Sequence, residues 1–238
     1  MANKQTEELS SDEIVDSLLS DLPFNVTQEV TLPSGKVAKI KPITFEEEKA
    51  MISMSKKGGD ATNILISKCV SDIEMHDILL VDKIYLLFKL RELSFGSNYR
   101  FTVGCPGCKR ENNITVDLNN LDVNTLEEAD GLQEVVLPMS NKKCVVRLAS
   151  LADEQYTSQS EIMMDNLWRF VESFEGHKAS NVIQKVLRRL PAGDINKIIS
   201  VASCEGYGIA TEVRVVCSHC GHDSVMDLPL NKNFFSVS

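Results

Sequence analysis

Most of the signatures that would identify a chemistry at sight are missing from this chain. Its 238 residues hold no glycine-rich phosphate loop, no His-Glu-x-x-His helix and no nucleophile elbow, so the common nucleotide-binding, metalloprotease and hydrolase chemistries have no residues to rest on. No apolar run reaches the roughly 18 residues that cross a bilayer. The nearest, Ile78 to Phe88, is interrupted by Asp82 and Lys83 and reads as a buried helix, expected from about Asp77 to Leu93 and ended by a turn at Gly96. Positive charge is scarce: 25 Lys and Arg stand against 34 Asp and Glu, a net charge of -9. A phosphate backbone calls for a basic stripe, and the few bases near the cysteine turns, Arg100, Lys109, Arg110 and Arg214, do not make one. The seven cysteines are an odd number, and no secretory leader is expected ahead of them. The expectation is a reduced, cytosolic protein whose core does not depend on disulfides.

What is present is a pair of matched cysteine turns. Cys105-Pro-Gly-Cys108 and Cys217-Ser-His-Cys220 each lie between alternating segments, Asn98 to Gly104 and Asn113 to Leu118 around the first, Thr211 to Val216 and Ser224 to Leu228 around the second. Each reads as a β-hairpin with a thiol turn. Two thiols supply half of a tetrahedral zinc shell, and two such hairpins face to face complete a closed structural site with no position left for a reactive water. The expected cofactor is one structural Zn2+ per chain, held by Cys105, Cys108, Cys217 and Cys220. A redox pair would sit at a helix N-terminus instead of between strands. His219 and His222 would replace a cysteine only if the two turns bound metal separately.

A repeat explains why the half-sites stand so far apart. Glu29-Val-Thr-Leu-Pro33 recurs as Glu134-Val-Val-Leu-Pro138; a strand follows each, then Thr44-Phe-Glu-Glu47 in one place and Ser150-Leu-Ala-Asp153 in the other. Both endings are helix caps in which a hydroxyl and a carboxylate satisfy free amides of the first turn. The reading is an α+β fold of two pseudo-repeated halves, residues 29–130 and 131–238, each a strand pair, helices and a Cys-x-x-Cys hairpin, joined by one shared zinc-ribbon-like site. Residues 1–28 form a separate acidic tail. Residues 1–30 carry a net charge of -6, which leaves -3 for the remainder. Within the tail, Ser10-Ser-Asp-Glu13 caps a short helix whose Ile14, Val15, Leu18, Leu19 and Leu22 make an apolar stripe, ended by Pro23. Such a helix is marginal alone and gains order by docking, on its own chain or on another. Its acidity turns it away from anionic membranes.

The remaining candidates have simpler explanations. Glu46, Glu47 and Glu48 complement the start of a helix. Cys69, Cys144 and Cys204 lie in apolar contexts and read as core residues. His76 and His177 stand at element boundaries. Met163, Met164, Leu167, Trp168, Phe170, Val171 and Phe174 make a wide apolar stripe at helical spacing. The basic stretch from Lys178 to Arg189 is the solvated face of a helix.

Several stretches carry a family resemblance: Leu32-Pro-Ser-Gly-Lys36, Ile40-Lys-Pro-Ile-Thr-Phe-Glu-Glu-Glu-Lys49, Arg91-Glu-Leu-Ser-Phe-Gly96, Tyr99 to Cys108, and Val116-Asp-Leu-Asn-Asn-Leu-Asp-Val123. Together they resemble the baseplate hub and hub-assembly proteins of T-even-like contractile-tailed phages, most closely between Leu32 and Val123. The resemblance carries over only the hairpin thiols Cys105 and Cys108; Cys217 and Cys220 are assigned by local chemistry. It implies a non-enzymatic phage protein, built into the hub or wedge or helping hub proteins to assemble. Its partners would be other baseplate hub or wedge proteins, with no membrane, nucleic acid or small-molecule substrate. It would occupy the host cytoplasm during assembly and, if retained, the tail baseplate of the virion. The competing readings are a zinc-ribbon adaptor binding nucleic acid or the transcription machinery, and a thiol oxidoreductase.

Overall fold

The computed structural model describes residues 10–20, 27–56, 60–126, 131–230 and 232–235. Ser11–Leu19 form helix α1. The expected cap is in place: the Ser10 hydroxyl accepts the Glu13 N–H, and the Glu13 carboxylate accepts the Ser10 N–H at 2.7 Å. Leu22 and Pro23 lie outside the described residues.

Gln28–Thr31 (β1) and Val37–Ile40 (β2) pair antiparallel with Val30 opposite Ala38. The two-residue period of a strand sends Val30, Ala38 and Ile40 into the core. Two helices follow, Phe45–Lys56 (α2) and Ala61–Cys69 (α3), and Val70–Ser71 (β3) returns beside β2. At the start of α2 the carboxylate half of the predicted cap forms, Glu47 accepting the Thr44 N–H at 3.0 Å, while the Thr44 hydroxyl donates to Glu47 instead of accepting an amide. Leu80–Phe95 (α4) starts three residues later than expected, because Met75–Asp77 take a separate 3-10 turn and Leu79 forms an isolated β-bridge with Ser150. The Asp82 carboxylate accepts the Leu79 N–H at 3.2 Å and so fixes the start of α4. Asn98–Gly104 (β4) and Glu111–Asp117 (β5) then form the first cysteine hairpin, and Val123–Asn124 (β6) ends this stretch.

A third hairpin pairs Leu132–Val136 (β7) with Lys143–Arg147 (β8). Ser150 and Asp153 cap a 3-10 turn that runs into the short helix Glu154–Thr157 (α5). The stripe from Met163 to Phe174 is not one helix. It divides into Ser160–Asn166 (α6), a 3-10 turn, and the strand Val171–Phe174 (β9), which pairs with β8. Over four residues, helical and alternating patterns coincide, and the open edge of β8 supplies the hydrogen bonds that decide the matter. Ser180–Leu187 (α7) and Ala192–Ala202 (α8) lead to Gly208–Ile209 (β10), which pairs with β6; Glu212–Val216 (β11) and Asp223–Asp227 (β12) form the second cysteine hairpin.

One core is built on β1, β2, α3 and α4 and also takes in Leu228, Phe234 and Phe235 from near the end of the chain. Phe234 packs at 5.0 Å against the rings of both Phe88 and Tyr99. A second core lies between β7–β9 and helices α6 to α8, and a smaller cluster gathers Leu79, Val81, Leu126, Leu148 and Cys204. Cys69, Cys144 and Cys204 are buried, as the sequence predicts, and burial pushes their thiols up to about 11, 11 and 12. The Lys83 ammonium, itself buried, bridges Asp60 at 2.6 Å and Glu154 at 2.5 Å and so ties α3's start to α5. Among the described residues, no helix is long and apolar enough to cross a membrane.

Candidate metal centre

The two cysteine turns have one backbone design. In the first, the Cys105 N–H donates to the Arg110 carbonyl and the Lys109 N–H to the Cys105 carbonyl; in the second, Cys217 donates to His222 and Gly221 to Cys217, all at 2.9 Å. Lys109 and Gly221, the residues after each second cysteine, share a left-handed conformation, with φ of 62° and 71°. The strand registers match as well, Gly104 opposite Glu111 and Val216 opposite Asp223. Two like turns therefore present their thiols in like geometry.

The hairpins bring these thiols together. All four sulfurs lie within 4.8 Å of one another; Cys105 Sγ is 3.7 Å from Cys220 Sγ, and Cys108 Sγ is 3.8 Å from Cys217 Sγ. A tetrahedron with metal–sulfur bonds of about 2.3 Å has edges of roughly 3.8 Å. The contacts are too long for disulfides, and all seven cysteines are free. Donor set and spacing both fit a tetrahedral, thiolate-loving cation, and these four residues could hold a metal ion. The four thiols do not share one electrostatic environment. The His219 N–H, donating to Cys217 Sγ at 3.4 Å, draws that thiol down to about 6. At Cys220 the His222 N–H also lowers the thiol, but desolvation and the three crowding thiols outweigh it and push it up to about 12. Four sulfurs this close cannot all ionise without a cation between them.

The two histidines weighed as substitute ligands do not join the cluster. His219 Nε2 donates to the Glu111 carbonyl at 3.1 Å. The His222 ring lies over Gly107, where an added Cβ would come within 3.1 Å of it, so the glycine of Cys-Pro-Gly-Cys makes room for the opposite turn. Arg214, one of the few bases nearby, is taken up by Asp223 at 2.8 Å.

Sequence reasoning missed a buried polar residue that joins the turns. Asn112 is only 3% exposed, and its Oδ1 accepts the Ser218 hydroxyl at 2.8 Å and the Ser218 N–H at 3.3 Å. Its signal was available: alternation along β5 puts Asn112 on the same inward face as Ile114 and Val116, where a buried amide needs a partner. The α1 residues expected to dock, Ile14, Val15, Leu18 and Leu19, are exposed and take no part in the thiol cluster.

A family model described as "T4 bacteriophage base plate protein" matches residues 24–236, a span that includes both cysteine turns. No curated protein and no solved structure matches. The resemblance carried by Leu32 to Val123 is thus part of a likeness over most of the length, and the chain belongs to the T4 bacteriophage base plate protein family.

Proposed function

We propose that this chain is a non-enzymatic structural or assembly protein of the phage tail baseplate, acting with other hub or wedge proteins and closed by one structural zinc on Cys105, Cys108, Cys217 and Cys220. The observation that carries this reading is the family match across residues 24–236. The thiol cluster supports the zinc: a four-thiolate site leaves no open position for a substrate or water, so its contribution is to hold distant hairpins together.

We infer further that, after the tail of residues 1–28, residues 29–130 and 131–238 are corresponding halves. Beyond the cysteine turns, two local devices occur twice. Lys41 pairs with Glu47 at 3.0 Å beside the Thr44 cap, and Arg147 pairs with Asp153 at 2.6 Å beside the Ser150 cap. Asp82, in the first turn of α4, accepts the Ser34 N–H at 3.0 Å, while Asp194, in the first turn of α8, accepts the Met139 and Ser140 N–H groups at 2.7 and 3.1 Å. Both aspartates are fully buried, and each pins the turn of a Leu-Pro hairpin to a helix start. Asp82 and Asp194 stand 112 residues apart, as do Cys105 and Cys217.

In this reading the protein folds in the host cytoplasm and presents α1 to a neighbour in the baseplate. Peptide mass spectrometry on purified virions, beside a late lysate of infected cells, tests it. Recovery of the chain at a few copies per particle identifies a retained component. Abundance in the lysate with absence from particles identifies a transient assembly factor. Infected cells that form complete, infective tails without the chain overturn the baseplate role.

A further inference from the structure

Two apolar surfaces of this chain match each other. The first is α1. Ile14, Val15 and Leu18 are 45%, 50% and 72% exposed and belong to none of the core clusters. The second is a cavity of about 480 Å³ between α6, α7 and α8, lined by Met164, Leu167, Trp168, Leu187, Leu190 and Ile195. It has room for aliphatic side chains arriving from a helix laid across it, the usual way an amphipathic helix anchors in a groove.

Charge gives the fit a direction. On the α7 side the groove is edged by Arg188, with Lys185 and Arg189 beside it; none of the three is in an ion pair among the described residues. On the α6 side it carries Asp165, with Glu161 nearby. At about 100° per residue, Asp12 falls about 20° beyond Leu19 at one border of the α1 stripe, while the nearest residue beyond Ile14 at the other border is Ser17. One border of the helix is therefore acidic and the other neutral. Only one orientation puts the acidic border on Arg188 and the serine border on Asp165; the reverse sets like charges together.

We propose that α1 of one copy of this chain docks in the α6–α8 groove of a second copy. Among the described residues, Ile14, Val15 and Leu18 are exposed and the groove is open: α1 precedes β1, an edge strand of the first core, whereas the groove belongs to the second. Two copies cover both. The contact is between different patches and builds a closed pair or ring when the rotation closes. The proposal rests on α1 being a docking element and adds what it docks into.

The test uses the full-length, zinc-loaded chain. Its single tryptophan, Trp168, lines the groove and reports occupancy. Sedimentation equilibrium is expected to show mass rising above the monomer with concentration, and Trp168 emission to move to shorter wavelength in step. Leu18→Asp, on an exposed position, should weaken association at least about tenfold and abolish the emission shift. Arg188→Glu should weaken it too, and Asp12→Lys in the same chain should restore it. A strictly monomeric chain overturns the proposal. So does emission that responds to Leu18→Asp but not to concentration, which means the helix fills its own groove, and so does association indifferent to Leu18→Asp. Phage carrying Leu18→Asp separate the two levels. If they assemble normally, α1 is not a docking element at all; if they fail while the pure chain is monomeric, only the second copy is wrong.

Discussion

Glu47 accepts hydrogen bonds from the Thr44 N–H, the Thr44 hydroxyl and the Lys41 ammonium. Burial alone would raise its carboxyl, but these donors outweigh burial and bring it down from 4.5 to about 2. A carboxylate held lower in the folded state than in the unfolded one stabilises the fold above its unfolded value, and that stability is lost as pH falls toward the folded value. The window here runs from about 4.5 down to about 2. Glu47→Gln is therefore expected to be less stable than the wild type by a constant margin above about pH 5 and by a vanishing one near pH 2, read as urea midpoints across that range. A margin independent of pH would show that the charge of Glu47 is not what holds the start of α2. This residue was legible because its partners lie within a few positions, in a pattern that local sequence displays. For Asn112, Asp82 and Asp194 the bond was not, although alternation along β5 already places Asn112 inward. Their partners Ser218, Ser34 and Met139 are 106, 48 and 55 residues away, and nothing local announces such a bond.

Among the elements, β6 and β10 are the shortest pair and yet join segments far apart in the chain. Gly208 lies opposite Asn124 and Ile209 opposite Val123, and the Asn124 amide donates to the Gly206 carbonyl at 3.1 Å. Two residues are too few to leave a period, so this clasp could not be read in advance, whereas the seven-residue strands of the first cysteine hairpin could. The clasp depends on Gly208. Its φ is 87°, and a Cβ there would stand 2.4 Å from Val81 Cγ2 on α4. Gly208→Ala faces both a left-handed backbone, about 1–2 kcal/mol, and overpacking against a buried side chain, about 1–3 kcal/mol. Val81→Ala removes the second difficulty only. In a double-mutant cycle followed by denaturant unfolding, Gly208→Ala should cost at least about 0.5 kcal/mol less in the Val81→Ala background. Strict additivity would mean that α4 and β10 are not in contact as described.

At the scale of the whole molecule, the mixed helix and sheet content and the meeting of the four thiols were legible, since paired cysteines in matched turns have few other uses. The membership of the cores was not: Phe234 and Phe235 reach from near the end of the chain into the core of β1 to α4, a choice that hydrophobicity alone does not dictate. The thiol centre has consequences at the same scale. If one zinc is shared, its binding free energy counts toward folding of both hairpins together, and a ligand lost from either hairpin has the same effect. Cys105 belongs to the first hairpin and Cys217 to the second, with both sulfurs buried in the cluster. Serine keeps the shape but gives up the thiolate. Cys105→Ser and Cys217→Ser should therefore each lose zinc, measured by elemental analysis against protein concentration, and melt below the wild type by similar amounts. A chelator should lower the wild-type melting temperature toward theirs and leave the variants where they are. Two separate sites would behave otherwise, since each variant would then keep the metal of the untouched hairpin. A variant that retains full zinc and melts unchanged would show that its sulfur is no ligand, and the shared centre would have to be abandoned.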